Sequence, residues 1–244
     1  MSQSSNLSNS PNALANPRLV ARVAAVFYLV VAIAAGWSQI IVRAGLSTDG
    51  SPAQTAQSIR DARDSMRLAF AADLTAFTCF MVTVVLLFVL FRRVNLDLAV
   101  GFLVPGIAAV VIQSLSMILH GGALLVATGK WPGSDETATL LLDMHTLSNN
   151  IAQIFFGLWL LPLGLVVIRS GYVPRVLGYL LMVGGLGYLI DILLQFAVGA
   201  DPDSTIVFSS VGGVAEVVFL LWLLIRGVSV AAVPARSEPV PVAA

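Results

Sequence analysis

The stretch from Ile151 to Asp191, IAQIFFGLWLLPLGLVVIRSGYVPRVLGYLLMVGGLGYLID, constrains the fold of this chain more than any other. It holds two apolar runs, each close to the roughly 20 helical residues that cross a bilayer. The basic turn RSGYVPR, Arg169 to Arg175, joins them, and an acid, Asp191, lies near the far end of the second. A backbone in lipid must satisfy its own hydrogen bonds, so the two runs read as a pair of spanning helices.

Composition supports that reading along the whole chain. Of 244 residues 58% are hydrophobic and 11% charged, with a mean hydropathy of +0.92. A soluble domain carries about 25% charged residues, so an ordinary globular protein and a disordered one are both excluded. The net charge of zero gives no bulk attraction to nucleic acid. The lone cysteine, Cys79, allows no intrachain disulfide and excludes a zinc site built from several thiolates.

Apolar runs predict six spans, at about Leu19–Val42, Leu68–Phe91, Leu98–Val126, Ile151–Ile168, Pro174–Val198 and Ile206–Ile225. Ala32-Ile33-Ala34 resembles a signal-peptidase site, but the apolar run continues past it to Val42, so a retained helix is expected. The fold class is therefore all-α, a six-helix membrane bundle over residues 18–227. Residues 1–17 and 228–244 are expected to be disordered tails. Ser51-Pro52 opens a helix-like lead-in to the second span, and Ser134 caps a polar helical piece, 134–150, before the fourth. Pro105-Gly106 marks an expected kink, and Gly178, Gly184, Gly185 and Gly187 offer surfaces for close helix approach. No internal repeat is evident.

Arg18, Arg22, Arg92, Arg93, Arg169, Arg175, Arg226 and Arg236 fall at the termini and the even connections. The other side mixes Arg43, Arg60, Arg63, Arg67 and Lys130 with most of the acids. Both termini are therefore expected in the cytoplasm.

Ionisable groups inside a span are costly and mark function by default. Asp73, His120, Asp143, His145, Asp191 and Glu216 all fall in the outer half of the membrane or at its centre. Helical spacing extends them into stripes. Gln113, Ser116 and His120 form one; Asp143, Thr146, Asn150 and Gln153 another, with His145 and Asn149 beside it. Gly184, Tyr188, Asp191 and Gln195 follow in the fifth span, and Ser209, Gly212 or Gly213, and Glu216 in the sixth. Such faces turn inward in lipid, which predicts a polar interior open to the outer side. The candidate site is Asp73, Gln113, His120, Asn150, Tyr188, Asp191 and Glu216. Each has a plainer role open to it. Asp191 and Glu216 could lock helices together, the histidines could be satisfied core groups, and Asp73 could pair with Arg67 or another arginine of that side.

The segment from Phe155 to Asp191 resembles the signature of a family of bacterial membrane proteins, domain of unknown function 4386. Weaker matches are Arg67-Leu68 through Asp73-Leu74, Arg93-Val94-Asn95 with Leu98-Ala99, Leu142-Asp143-Met144-His145, and Ala215-Glu216 with Leu221-Trp222-Leu223-Leu224. The resemblance covers Arg18 to Gly227 and implies a six-helix membrane protein of a bacterial cytoplasmic (inner) membrane, without assigning an activity.

Two histidines near carboxylates are elements of a zinc site that activates water. A carboxylate would have to complete it, and Asp143 and His145 point about 200° apart on a helix. Facing histidine pairs, as haem would need, are not evident. Neither a Gly-x-Ser-x-Gly elbow nor a Walker-type phosphate loop occurs. The leading expectation is a polytopic membrane protein that binds or transports a small solute or cation through the polar cavity. Asp191 and Glu216 would carry the charge, with Gln113, Asn150 and Tyr188 lining the path. A membrane scaffold or helper without chemistry is one alternative, and a metal-dependent intramembrane lipid hydrolase another. No cofactor is expected and the metal question stays open. The expected partner is the lipid bilayer, with self-association left open and no protein partner specified.

Overall fold

In a computed structural model the described residues are 16–46 and 50–229. The two expected tails lie outside them except for Asn16, Pro17, Val228 and Ser229, and so does Asp49. Among the described residues there is no strand. The helices are α1 (Pro17–Gly36), α2 (Pro52–Asp61), α3 (Arg63–Phe91), α4 (Leu96–Ala127), α5 (Asp135–Ser170), α6 (Arg175–Leu193) and α7 (Pro202–Ile225). Wider turns prolong α1 through Trp37–Arg43 and α6 through Leu194–Val198. Among the described residues six helices are long and apolar enough to cross a membrane. The six-span architecture is present.

Local chemistry sets the helix ends. Asn16 accepts from the N–H groups of Arg18 and Leu19, with Pro17 at the first helical position. Asn95 caps α4 through Leu98 N–H at 2.9 Å. Ser51 with Gln54, and Ser134 with Thr137, form reciprocal caps for α2 and α5. Gly171, at φ 66°, ends α5.

The polar helical piece 134–150 and the fourth span are continuous. Asp135 to Ser170 is one helix of 36 residues, because Asn149 and Asn150 do not interrupt a helix whose neighbours are good formers. At about 1.5 Å per residue it far exceeds the roughly 30 Å hydrocarbon core. Its first part therefore stands clear, packed with α2 and the end of α4 in a separate cluster that includes Ile59, Met66, Leu124 and Leu142. Two starts also shift. Pro174 precedes α6 instead of opening it, and α7 begins at Pro202, earlier than Ile206.

The spans close into a ring, each packing on the next in the order α1, α3, α4, α5, α6, α7 and back to α1. Glycines make the α5–α6 seam close. A Cβ on Gly157 would lie 2.8 Å from the carbonyl oxygen of Gly185, and one on Gly164 2.6 Å from that of Gly178. Seven residues separate the glycines on each helix, so two antiparallel pairs stack along one line. On its other side α6 places Gly184 against Gly212 of α7. Inside the ring Trp159 is fully buried and meets Phe80 edge-on at 5.0 Å.

Charge divides between the two ends. The end carrying the termini holds Arg18, Arg22, Arg92, Arg93, Arg169, Arg175 and Arg226, with Asp97 as its acid among the described residues. The end carrying α2 holds both signs.

Candidate functional site

Toward the α2 end from Trp159 the ring is hollow. A cavity of about 460 Å³ has lining residues from all six spans. Glu216 of α7 lies at its depth, with a tyrosine on each carboxylate oxygen. Tyr28 of α1 donates to Oε1 at 2.6 Å and Tyr188 of α6 to Oε2 at 3.0 Å. The buried indole N–H of Trp159 faces the same carboxylate without completing a hydrogen bond. Phe77, Phe80 and Phe156 supply aromatic wall, and Gln39, Gln113 and Gln153 supply amides. The side-chain oxygen of Gln153 has no hydrogen-bond partner among the described residues. Among the described lining residues Glu216 is the one charged group. Ile40 and Ser210, both exposed, mark the mouth between α1 and α7.

A second polar cluster sits nearer the α2 end. Arg43, at 11% side-chain exposure, ion-pairs with the buried Asp73. The Ser38 hydroxyl donates to the same Asp73 oxygen at 2.9 Å and accepts from Arg43 at 2.9 Å. The expected arginine partner of Asp73 is thus Arg43, while Arg67 lies 3.9 Å from Asp64.

The two histidines adjoin this cluster, and here the sequence reading needs correction. His120 and His145 do face one another, with ring centroids 5.4 Å apart and planes at 74°. Their hydrogen bonds fix both tautomers. Nε2 of His120 lies 3.1 Å from the Met66 carbonyl and so carries the proton, leaving Nδ1 to face Arg43 at 3.4 Å. Nδ1 of His145 donates to the Ser116 carbonyl at 3.1 Å, and its Nε2 accepts from Asn149 at 3.2 Å. Each free lone pair therefore faces a donor, the wrong environment for a cation. No group of three or more His, Cys, Asp or Glu could hold a metal among the described residues. The lipid-hydrolase alternative finds no ligand set there.

The seven candidates do not form one site. The cavity unites Gln113, Tyr188 and Glu216. Asp73 and His120 belong to the Arg43 cluster. Asn150 and Asp143 line a separate cavity of about 410 Å³ beside Arg43. Asp191 is buried at the α6–α7 contact, where Gln195 donates to it at 2.7 Å and to Thr205 at 3.1 Å. Tyr28, Gln39, Arg43 and Trp159 escaped sequence reasoning. The signal for Tyr28 was the one hydroxyl in the apolar stretch from Val23 to Gly36, with its partner 188 residues away.

A relative from Archaeoglobus fulgidus, described as an uncharacterized protein, is 37% identical over 94 residues. The match covers 36% of this chain, which spans only about half, 55%, of that relative's length. No solved structure matches. The family model described as Domain of unknown function (DUF4386) matches residues 23–227, nearly the whole helical bundle with both the Glu216 cavity and the Arg43 cluster. The chain, with six helices apolar enough to span a membrane among its described residues, belongs to that family.

Proposed function

We propose that the protein binds a small organic cation in the Glu216 cavity, entering from the outer side of a bacterial cytoplasmic membrane. The observation that carries this reading is one carboxylate, Glu216, set among aromatic rings in a space lined by every span. A cation gains from both features: direct attraction to the carboxylate, and the negative faces of the rings. A volume of about 460 Å³ lies within the range of small-ligand sites. The amides of Gln39, Gln113 and Gln153 would orient polar groups on the ligand, and the unpartnered oxygen of Gln153 can accept a hydrogen bond. The arginines gathered at the terminal end support a cytoplasmic placement of both termini, so the mouth faces outward.

Equilibrium dialysis of tetraphenylphosphonium against purified protein tests this. Saturable binding that weakens at least tenfold in Glu216→Gln is expected. Equal binding by both proteins would refute the role of Glu216. No saturable binding by the parent would favour a scaffold without a ligand.

A further inference from the structure

A second cavity, at the terminal end, has the opposite chemistry. Arg18 and Arg22 of α1, Arg175 at the start of α6 and Arg226 just beyond α7 line a space of about 610 Å³. No acid is among its described lining residues, and none of the four arginines forms an ion pair among the described residues. Four cations facing one space repel each other until an anion enters it. Charge placed at this end by the rule of cytoplasmic basic residues does not require such convergence, because Arg92 and Arg93 share the end without lining the cavity.

The backbone around the cavity is built. Gly171 and Gly227 turn the chain at φ 66° and 68°, a region that favours glycine. These turns bury Tyr172, Val173 and Val228. Ser229 N–H then donates to the Tyr172 carbonyl at 3.0 Å, tying the segment after α7 to the α5–α6 turn. Two helices, α1 and α6, begin here and direct their positive ends at the space. The start of α6 has no side-chain cap; Leu177 N–H donates to the Pro174 carbonyl at 3.0 Å, which leaves the N–H groups of Arg175 and Val176 to be satisfied. Trp222 completes the lining with an amphipathic ring of the kind that sits at headgroup level.

We propose that this cavity binds the phosphate of an anionic ligand, either a phospholipid headgroup or a soluble phosphate ester. Guanidinium groups match phosphate oxygens in paired hydrogen bonds, and basic pockets between spans at the interface suit anionic headgroups. The site is independent of the Glu216 cavity.

Native mass spectrometry of the detergent-purified protein can test it with dioleoylphosphatidylglycerol, dioleoylphosphatidylcholine and glycerol 3-phosphate as probes. The parent should bind phosphatidylglycerol and not phosphatidylcholine. The double variant Arg22→Gln/Arg226→Gln should lose at least tenfold in affinity, and Arg18→Gln/Arg175→Gln should behave alike. Arg92→Gln/Arg93→Gln removes the same charge outside the cavity and should bind as the parent does. Competition by glycerol 3-phosphate would identify a soluble ester as a ligand, and its failure alongside lipid binding would identify the headgroup. The proposal is overturned if no probe binds, or if all three double variants bind alike.

Discussion

The Tyr28 hydroxyl reaches Oε1 of Glu216 at 2.6 Å across the seam where α1, the first span, meets α7, the last. That bond helps close the ring, and the matching bond from Tyr188 ties α6 to the same carboxylate. Tyr28→Phe keeps the ring and removes the donor, so stability should fall by about 1 to 3 kcal/mol. Tyr188→Phe should cost a similar amount, and the double variant should depart from the sum because both act on one carboxylate. Thermal unfolding in a single detergent measures all three; unchanged melting would remove the tyrosines from the account.

Close backbone approach at the α5–α6 seam predicts that Gly157→Ala destabilises by about 1 to 3 kcal/mol, since the new methyl meets a carbonyl oxygen. Gly36→Ala is the control, because nothing lies within 4 Å of a Cβ there. That substitution should be neutral or gain up to about 1 kcal/mol from helix propensity. Equal effects at the two positions would contradict the paired-glycine packing.

Arg43 and Asp73 form a pair with little access to water. Removing one partner leaves a stranded charge, so Arg43→Ala or Asp73→Ala should cost about 3 to 5 kcal/mol. Arg43→Met/Asp73→Leu removes both charges and should recover much of that loss. A double-variant cycle by denaturant unfolding in mixed micelles reads the coupling, and purely additive losses would mean that the pair does not act as a unit.

Asp191 serves the contact between α6 and α7 through Gln195 and Thr205. Asp191→Asn keeps an acceptor for Gln195 and should melt close to the parent. Asp191→Ala should lose about 1 to 3 kcal/mol by leaving that amide short of a partner. Neither should change tetraphenylphosphonium affinity. A binding defect in Asp191→Asn would return this acid to the site.

The spans were legible because length and hydropathy alone decide what can cross a bilayer, and Ser51-Pro52 announced α2 by its capping chemistry. Periodicity also identified the faces of Gln113, Tyr188 and Glu216 that line the cavity. It could not separate Asp191 from Glu216. Tyr188 and Asp191 share a helix face, but one turn of depth sends the first to Glu216 and the second to Gln195. Arg43 read as a connection residue because the wider turn that carries α1 through it leaves no mark in hydropathy. The facing of His120 and His145 depends on the register between α4 and α5, and single-helix spacing contains no information about that register.

In the proposed reading Glu216 supplies the countercharge to a cationic ligand. The most direct test is the pH dependence of tetraphenylphosphonium affinity in the parent and in Glu216→Gln. Protonation removes the negative charge, so parental affinity should be greatest at high pH and fall as the pH is lowered. The Glu216→Gln variant should bind weakly at every pH with a flat profile. The same pH profile in both proteins would show that Glu216 is not the countercharge.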